Sequence, residues 1–211
     1  MKIKHVCFDF DGVLINSLEV MEISWNRCCE KFDLDITFDE YSKLIGIPFF
    51  DILNKLNLPE NLWKDLKDCY DNASTASIDR IIKFKSVDNL FKVLDDFNIS
   101  YSIFTSKTRK RTDEILSKDF KNINFLDIIC PEDLDPNKGK PSGDGLELII
   151  EKNKLSKKDF IYIGDTKFDI ICAKNAGVEF ILAGWGYGNK IEESVVANNV
   201  DDFIRFIKRN L

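Results

Sequence analysis

Two carboxylates separated by one residue, Asp9 and Asp11, stand in the run Asp9-Phe10-Asp11-Gly12-Val13, directly after a short apolar segment. In an extended chain alternate residues point to the same side, so both acids face one place. Carboxylates this close repel unless a shared proton or a cation relieves them. Magnesium suits the task, being a hard ion that takes oxygen ligands and is commonly shared with substrate phosphate. Gly12 lets the chain turn sharply and approach a ligand. Three further places supply partners. Thr105-Ser106 follows an apolar run, and a hydroxyl there hydrogen-bonds a phosphate oxygen or else caps a helix starting near Thr108. Lys140, held by Pro141, neutralises both a nucleophile and a phosphoryl group, with Lys138 as the competing choice. In Gly164-Asp165-Thr166-Lys167-Phe168-Asp169, Asp165 can bind a metal while Asp169 braces it or its water. The same two acids also suit a helix N-cap and the helix dipole. Nucleophile, proton shuttle, cation, hydroxyl donor and lysine are the parts phosphoryl transfer needs.

Those residues need a scaffold, and the apolar pattern provides one. Val6-Cys7-Phe8 leads into Asp9, Tyr101-Ser102-Ile103-Phe104 into Thr105, Phe125 to Cys130 into Pro131, and Phe160 to Ile163 into Gly164. Phe180-Ile181-Leu182 runs into Ala183-Gly184. Short runs that are apolar on both faces and separated by helical patterns predict parallel strands covered on both sides. Val87, Leu90, Phe91, Leu94 and Phe97 form one helical stripe, Leu146 to Ile150 starts another, and Gly177 reads as a helix C-cap. The expected fold class is α/β, a doubly wound parallel sheet, with each chemical residue at a strand end where such sheets bind ligands.

From about Asn16 to Phe84 the alternation stops. Trp25, Cys28, Cys29 and Phe32 share a helical face, as do Phe49, Phe50, Ile52, Leu53 and Leu56, with Pro48 and Pro59 as punctuation. No strand is evident there, and the stretch is too long for a loop. It predicts a small α-helical cap over 16–84, inserted after the first strand of a core made of 1–15 and 85–211. The insertion holds thirteen acids against eight bases, most of the chain's net charge of −6. This acidity reads as a solvated outer face. Arg27, Lys43, Lys55 and Arg80 are candidate substrate contacts from the cap, and Gly46-Ile47-Pro48 reads equally as a turn facing the core or as a helix break with no functional role.

The ordered segments FDFDGVLINS, IFTSK, GKPSGDGLELI and IGDTKFDIICAKNAGV resemble the four motifs of the haloacid dehalogenase-like (HAD) hydrolase superfamily. The helical insertion resembles the cap of its phosphoglycolate-phosphatase-like branch, and Ala183-Gly184-Trp185-Gly186-Tyr187-Gly188 is similar to a stretch common there. The resemblance implies a Rossmann-like core and a phosphatase using Mg2+. It makes Asp9 the nucleophile and a metal ligand. Asp11 becomes the acid and base, its carbonyl facing the metal. Thr105 and Lys140 hold the phosphoryl group, with Gly12 and Ser106 beside it. Asp165 becomes a further metal ligand, and Asp169 a ligand or its support. Dehalogenating members lack a carboxylate at the position of Asp11; a phosphate ester needs one, because an alkoxide is a poor leaving group. Where relatives often carry proline and aspartate after Lys-Pro-Ser, this chain has Gly143-Asp144.

Composition narrows the classes. With 211 residues, 44% apolar and 31% charged, the chain can build a core and stay soluble. Its negative charge and lack of a basic tract argue against nucleic acid, and no run approaches the length of a membrane span. Six cysteines without a C-x-x-C pair read as free thiols of a cytoplasmic protein. The lone His5 reads as structural. The expected partner is a small phosphorylated metabolite (phosphoglycolate, sugar phosphate or nucleotide), and the expected assembly a monomer or homodimer. Alternatives are a phosphomutase of the β-phosphoglucomutase type and a non-catalytic phosphate-binding protein. A phospho-receiver domain fails on motif order, since its acceptor Asp follows a later strand.

Overall fold

Residues 2–188 and 195–211 are described by a computed structural model. The first strand, β1 (His5–Phe8), is buried along its whole length. Its side chains alternate: Val6 and Phe8 enter one apolar cluster and Cys7 another on the opposite face. After β1 the chain makes a short strand, β2 (Ile15–Asn16), and then four helices: α1 (Leu18–Phe32), α2 (Phe38–Ser42), α3 (Phe49–Lys55) and α4 (Glu60–Ala76). It returns through β3 (Ile82–Lys83), which pairs antiparallel with β2. From there helices and strands alternate: α5 (Val87–Asp96), β4 (Ser100–Phe104), α6 (Arg109–Asp119), β5 (Ile128–Ile129), α7 (Asp144–Lys152) and β6 (Phe160–Gly164). The chain closes with α8 (Lys167–Ala176), β7 (Glu179–Ala183), β8 (Val195–Ala197) and α9 (Val200–Arg209).

Six strands form one sheet in the order β5-β4-β1-β6-β7-β8, every pair parallel. Helices α5, α6 and α9 bury Phe91, Ile115 and Phe203 against one face, while α7 and α8 bury Leu146, Ile149 and Cys172 against the other. This is the doubly wound α/β architecture expected from the runs. The chain winds outward from β1 in one direction through β4 and β5, and in the other through β6, β7 and β8. Strand order therefore reverses at β1, and the crevice beyond its carboxyl end is the natural ligand site.

The helices α1–α4, the segment expected to form the cap, share an apolar cluster that includes Trp25, Cys28, Tyr41, Leu53 and Leu66. Phe168 of α8 joins that cluster and seats the cap on the sheet layer. Several sequence expectations need correction. The pair β2–β3 lies at the ends of the insertion, where two residues are too few to show a period. The run Phe125 to Cys130 yields only Ile128–Ile129 as strand, and β8 was not anticipated. Phe50 and Phe97 are each 45% exposed, Phe50 stacking on Trp63 at the surface. Gly177 does terminate α8 in the left-handed region, at φ 65°. All six cysteines are free thiols, five of them buried. His5 is structural: its Nδ1 meets Ser100 Oγ at 2.7 Å and its ring stacks on Phe160.

Candidate active site

Asp9 is the residue after β1, and its backbone N–H still donates to Ile163 O of β6 at 2.8 Å. The sheet ladder thus fixes the carboxylate at the switch point. Gly12 then turns the chain at φ 79°; a Cβ there would lie 2.0 Å from Asp165 Oδ2, so no other residue fits. The turn brings Asp11 back to the mouth of the crevice. Asp165 leaves the end of β6 beside Asp9, and Thr166 caps α8 in a capping box with Asp169. One carboxylate oxygen each from Asp9, Asp165 and Asp169 lie within 4.8 Å of one another.

Lys140 holds this acidic group together. It is 1% exposed, and its Nζ is 2.7 Å from both Asp9 Oδ1 and Asp169 Oδ1. Asp169 is saturated: Tyr162 Oη also donates to Oδ1 at 2.6 Å, while Thr166 N and Oγ1 donate to Oδ2 at 3.0 and 2.7 Å. Burial works against the Lys140 charge, but Asp169 and Asp9 outweigh it and hold its pKa above the ordinary lysine range. Burial also works against charge on Asp169, yet Lys140 and the three donors keep its pKa low. Asp9 is pushed up to about 7 by burial, opposed by Lys140 and reinforced by Asp169. Lys138, the competing lysine, lies outside this cluster and pairs with Asp144 at 2.6 Å.

Asp165 is the unsatisfied member. Its Oδ2 accepts from Tyr187 N at 2.6 Å, but its Oδ1 is buried with no hydrogen-bond partner among the described residues. Burial, then the charges of Asp169 and Asp9, drive its pKa far above the carboxylate range. A buried polar atom without a partner is costly, and an all-oxygen donor set around it suits a hard divalent cation. The residues present therefore fit Mg2+, with Asp9 and Asp165 as the available side-chain ligands.

The remaining expected residues surround the crevice. Thr105 is buried at the end of β4, and its Oγ1 accepts from Lys107 N at 3.1 Å. The N-cap of α6 is Thr108, so Thr105 and Ser106 are not capping it. Ser106 Oγ donates to Gly46 O at 2.8 Å, so the Gly46-Ile47-Pro48 turn does face the core. Asp11 Oδ2 lies 3.0 Å from Lys107 Nζ, and Oδ1 accepts from Ser17 Oγ.

Between cap and core lies a cavity of about 100 Å³ that Asp9, Asp11 and Thr105 line from below. Its cap wall is largely apolar, with Met21, Ile47 and Phe49, and its cations are Lys67, Lys107 and Arg111. Arg27, Lys43, Lys55 and Arg80 do not line it. Arg27, Lys43 and Arg80 pair in solvent with Glu30, Asp39 and Glu19, and Lys55 is exposed. Lys67 and Arg111 went unnoticed because a helix face cannot be assigned before its neighbours are known. Lys107 had a local signal, adjacency to Thr105-Ser106.

With the geometry in place, comparison decides the family. The profile of the haloacid dehalogenase-like hydrolases matches residues 6–183. The chain belongs to that family. This haloacid dehalogenase-like hydrolase is 27% identical over 214 residues to pyrophosphatase PpaX of Halalkalibacterium halodurans, covering 98% of each chain. It is 25% identical over 210 residues to phosphoglycolate phosphatase of Vibrio parahaemolyticus, covering 94% of this chain and 90% of that one. Among solved structures, a hydrolase from Pseudomonas syringae superposes with a TM-score of 0.84 at 19% identity, over 98% of both chains. That likeness is one of fold. No helix among the described residues is long and apolar enough to cross a membrane.

Proposed function

We propose that this haloacid dehalogenase-like hydrolase is a magnesium-dependent phosphatase of small phosphorylated metabolites, acting through an aspartyl-phosphate on Asp9. The observation that carries the reading is the Oδ1 of Asp165 beside Asp9, buried and without a hydrogen-bond partner among the described residues. It marks a place where a cation and a phosphoryl group would complete an otherwise repulsive set of acids. Asp9 and Asp165, with the Asp11 carbonyl, would hold Mg2+, which would supply positive charge against the phosphoryl oxygens. Asp169, with both oxygens already engaged, serves to fix Lys140.

The Asp9 carboxylate attacks phosphorus as the ester P–O bond breaks, and Asp11 gives its proton to the departing oxygen. Asp11, now a carboxylate, takes a proton from the water that attacks the aspartyl-phosphate, releasing phosphate and restoring Asp9. Thr105, the Gly12 turn, Ser106 and Lys140 are the proposed phosphoryl contacts. A cavity of about 100 Å³ falls below the usual range for drug-sized ligands, roughly 300–1,000 Å³. It favours pyrophosphate or a two- or three-carbon phosphate ester over a nucleotide while the cap is closed. The relatives named pyrophosphatase and phosphoglycolate phosphatase are in keeping with that size. The cap of residues 16–84 is proposed to move on the β2–β3 pair, and the free thiols fit a reducing cytoplasm.

Phosphate release from a panel of phosphorylated metabolites, with magnesium or EDTA and with Asp9→Asn as control, tests the assignment. Magnesium-dependent release that disappears in a folded Asp9→Asn protein is the expected result. Native-like release by Asp9→Asn would remove Asp9 as nucleophile. Phosphorylation by a sugar bisphosphate without net phosphate release would turn the reading toward a phosphomutase.

A further inference from the structure

The stretch Gly184-Trp185-Gly186-Tyr187-Gly188 takes no part in the chemistry above, yet it is packed tightly against the site. A Cβ on Gly186 would lie 2.3 Å from Asp165 Cβ, and one on Gly188 would lie 1.8 Å from Asp165 O. Two glycines therefore let this loop press against Asp165. From that position the loop reaches the segment by which the chain leaves the core for the cap. Trp185 Nε1 donates to Val13 O at 3.1 Å, and Tyr187 Oη is 3.2 Å from Ile15 O. Tyr187 Oη also accepts from Ser17 N at 2.6 Å and lies 3.2 Å from Ser17 Oγ. Ser17 Oγ in turn donates to Asp11 Oδ1.

Ser17 occupies the N-cap position of α1, where serine normally accepts a hydrogen bond from the first turn. It does not do so here: its side chain makes no capping bond. It is 2% exposed, and its hydroxyl is directed at Asp11 instead. Helix capping therefore does not account for the side chain, whereas the contact with Asp11 does.

We propose that Tyr187 and Ser17 are positioning residues for Asp11, holding its carboxyl in the orientation that serves the leaving group. The inference rests on the role of Asp11 in the proposed phosphatase reaction. Ser17 donates to Oδ1, which accepts in a carboxylate and equally in an acid protonated at Oδ2, so the proton for the leaving group stays on the oxygen that Ser17 does not hold. Tyr187 fixes Ser17 through its backbone N–H and hydroxyl, and its own backbone N–H fixes Asp165. One residue thus ties the orientation of Asp11 to that of Asp165. Lys107 steadies the other oxygen of Asp11, Oδ2, from the core, and makes no contact with Oδ1 that would replace that of Ser17.

Leaving-group dependence separates positioning from a structural role. When Asp11 is in place, its proton passes to the ester oxygen as the P–O bond breaks, and a neutral phenol departs. When it is displaced, the phenolate leaves with the electron pair and takes its proton from water. A poor leaving group suffers from this and a good one does not. For Tyr187→Phe, kcat/KM with phenyl phosphate is expected to fall about 10- to 100-fold, part of the 10²–10⁴ that general acid catalysis supplies. With 4-nitrophenyl phosphate it falls less than about 3-fold. Ser17→Ala behaves alike, and Ser17→Thr, which keeps the hydroxyl, restores the phenyl phosphate rate. An equal loss on both esters, or no loss, overturns the proposal, as does a crystal structure of Tyr187→Phe with Asp11 unmoved. Should Tyr187→Phe fail to fold, the Ser17 pair carries the comparison. Activity surviving in Asp9→Asn would defeat the phosphatase mechanism itself. An inactive Asp9→Asn beside a flat leaving-group response would defeat only the positioning role.

Discussion

Lys140 is the residue on which the charge balance of the site turns. It contacts Asp9 and Asp169 at the same distance and has no access to water. Removing one member of a buried ion pair costs about 3–5 kcal/mol, because it leaves an uncompensated charge behind. Lys140→Met is therefore expected to lower the unfolding free energy from denaturant titration by that much, beyond any loss of turnover; a change below about 1 kcal/mol would mean that Asp9 and Asp169 need no lysine. Asp165 responds in the opposite sense. Its carboxylate is buried among like charges, so Asp165→Asn is expected to raise the melting temperature of the metal-free protein. If Mg2+ binds as proposed, the wild-type protein is expected to gain about 2.7 kcal/mol of stability at a hundredfold excess over its Kd, and Asp165→Asn to lose that gain. Thermal melts with magnesium and with EDTA check both statements. Much of this cluster was legible because the acids and the threonine each follow an apolar run; Lys140 follows the polar stretch Pro131 to Gly139 rather than a strand end, and only its neighbour Pro141 marked it. The saturation of Asp169 was not, since it depends on Tyr162 and Thr166 converging from two elements.

Among the elements, burial on both faces made β1, β4, β6 and β7 readable, because each carries neighbouring apolar residues such as Val6-Cys7-Phe8, Ile103-Phe104 and Phe180-Ile181-Leu182. The strands β2, β3 and β5 hold only two residues each, too short for any period, and exist because a neighbour completes their hydrogen bonds. The helical faces of the cap were legible through Trp25 and Cys28. Which cap cations meet the cavity was not, because that depends on how α4 lies over α6. Across that contact Arg111 donates to Asp71 O at 3.2 Å and to Thr75 Oγ1 at 2.5 Å. The terminal helix α9 gives a local test. Asn199 accepts from Asp202 N at 2.9 Å as its N-cap, and Val200, Phe203, Ile204 and Ile207 anchor it. Asn199→Ala is expected to cost about 1 kcal/mol, seen as a lower melting temperature with unchanged kcat/KM. An undisturbed melting temperature would show that α9 needs no cap.

At the scale of the molecule, His5 gives stability a pH dependence centred on the middle strand. Burial lowers its pKa from 6.5 to about 4, so the folded chain keeps it neutral. Between those values the unfolded chain binds a proton that the folded chain does not, and stability falls as pH falls through that window. The difference amounts to about 3 kcal/mol at about 1.4 kcal/mol per unit. Measured against His5→Gln, wild-type stability is expected to decline by this extra amount from pH 7 to pH 4. Parallel pH curves for the two proteins would contradict it.

The meeting of β2 and β3 has a consequence for how such a molecule can change over evolutionary time. Asn16 faces Ile82 and Ile15 faces Lys83, so the chain departs for the cap and comes home through one doorway, about a strand spacing of 4.7–4.9 Å wide. The strands of the parallel sheet pair with one another and not with anything beyond that doorway. Any helical module whose two ends meet at that spacing can be grafted there, exchanging one substrate for another while the carboxylates at the carboxyl ends of the central strands keep their chemistry.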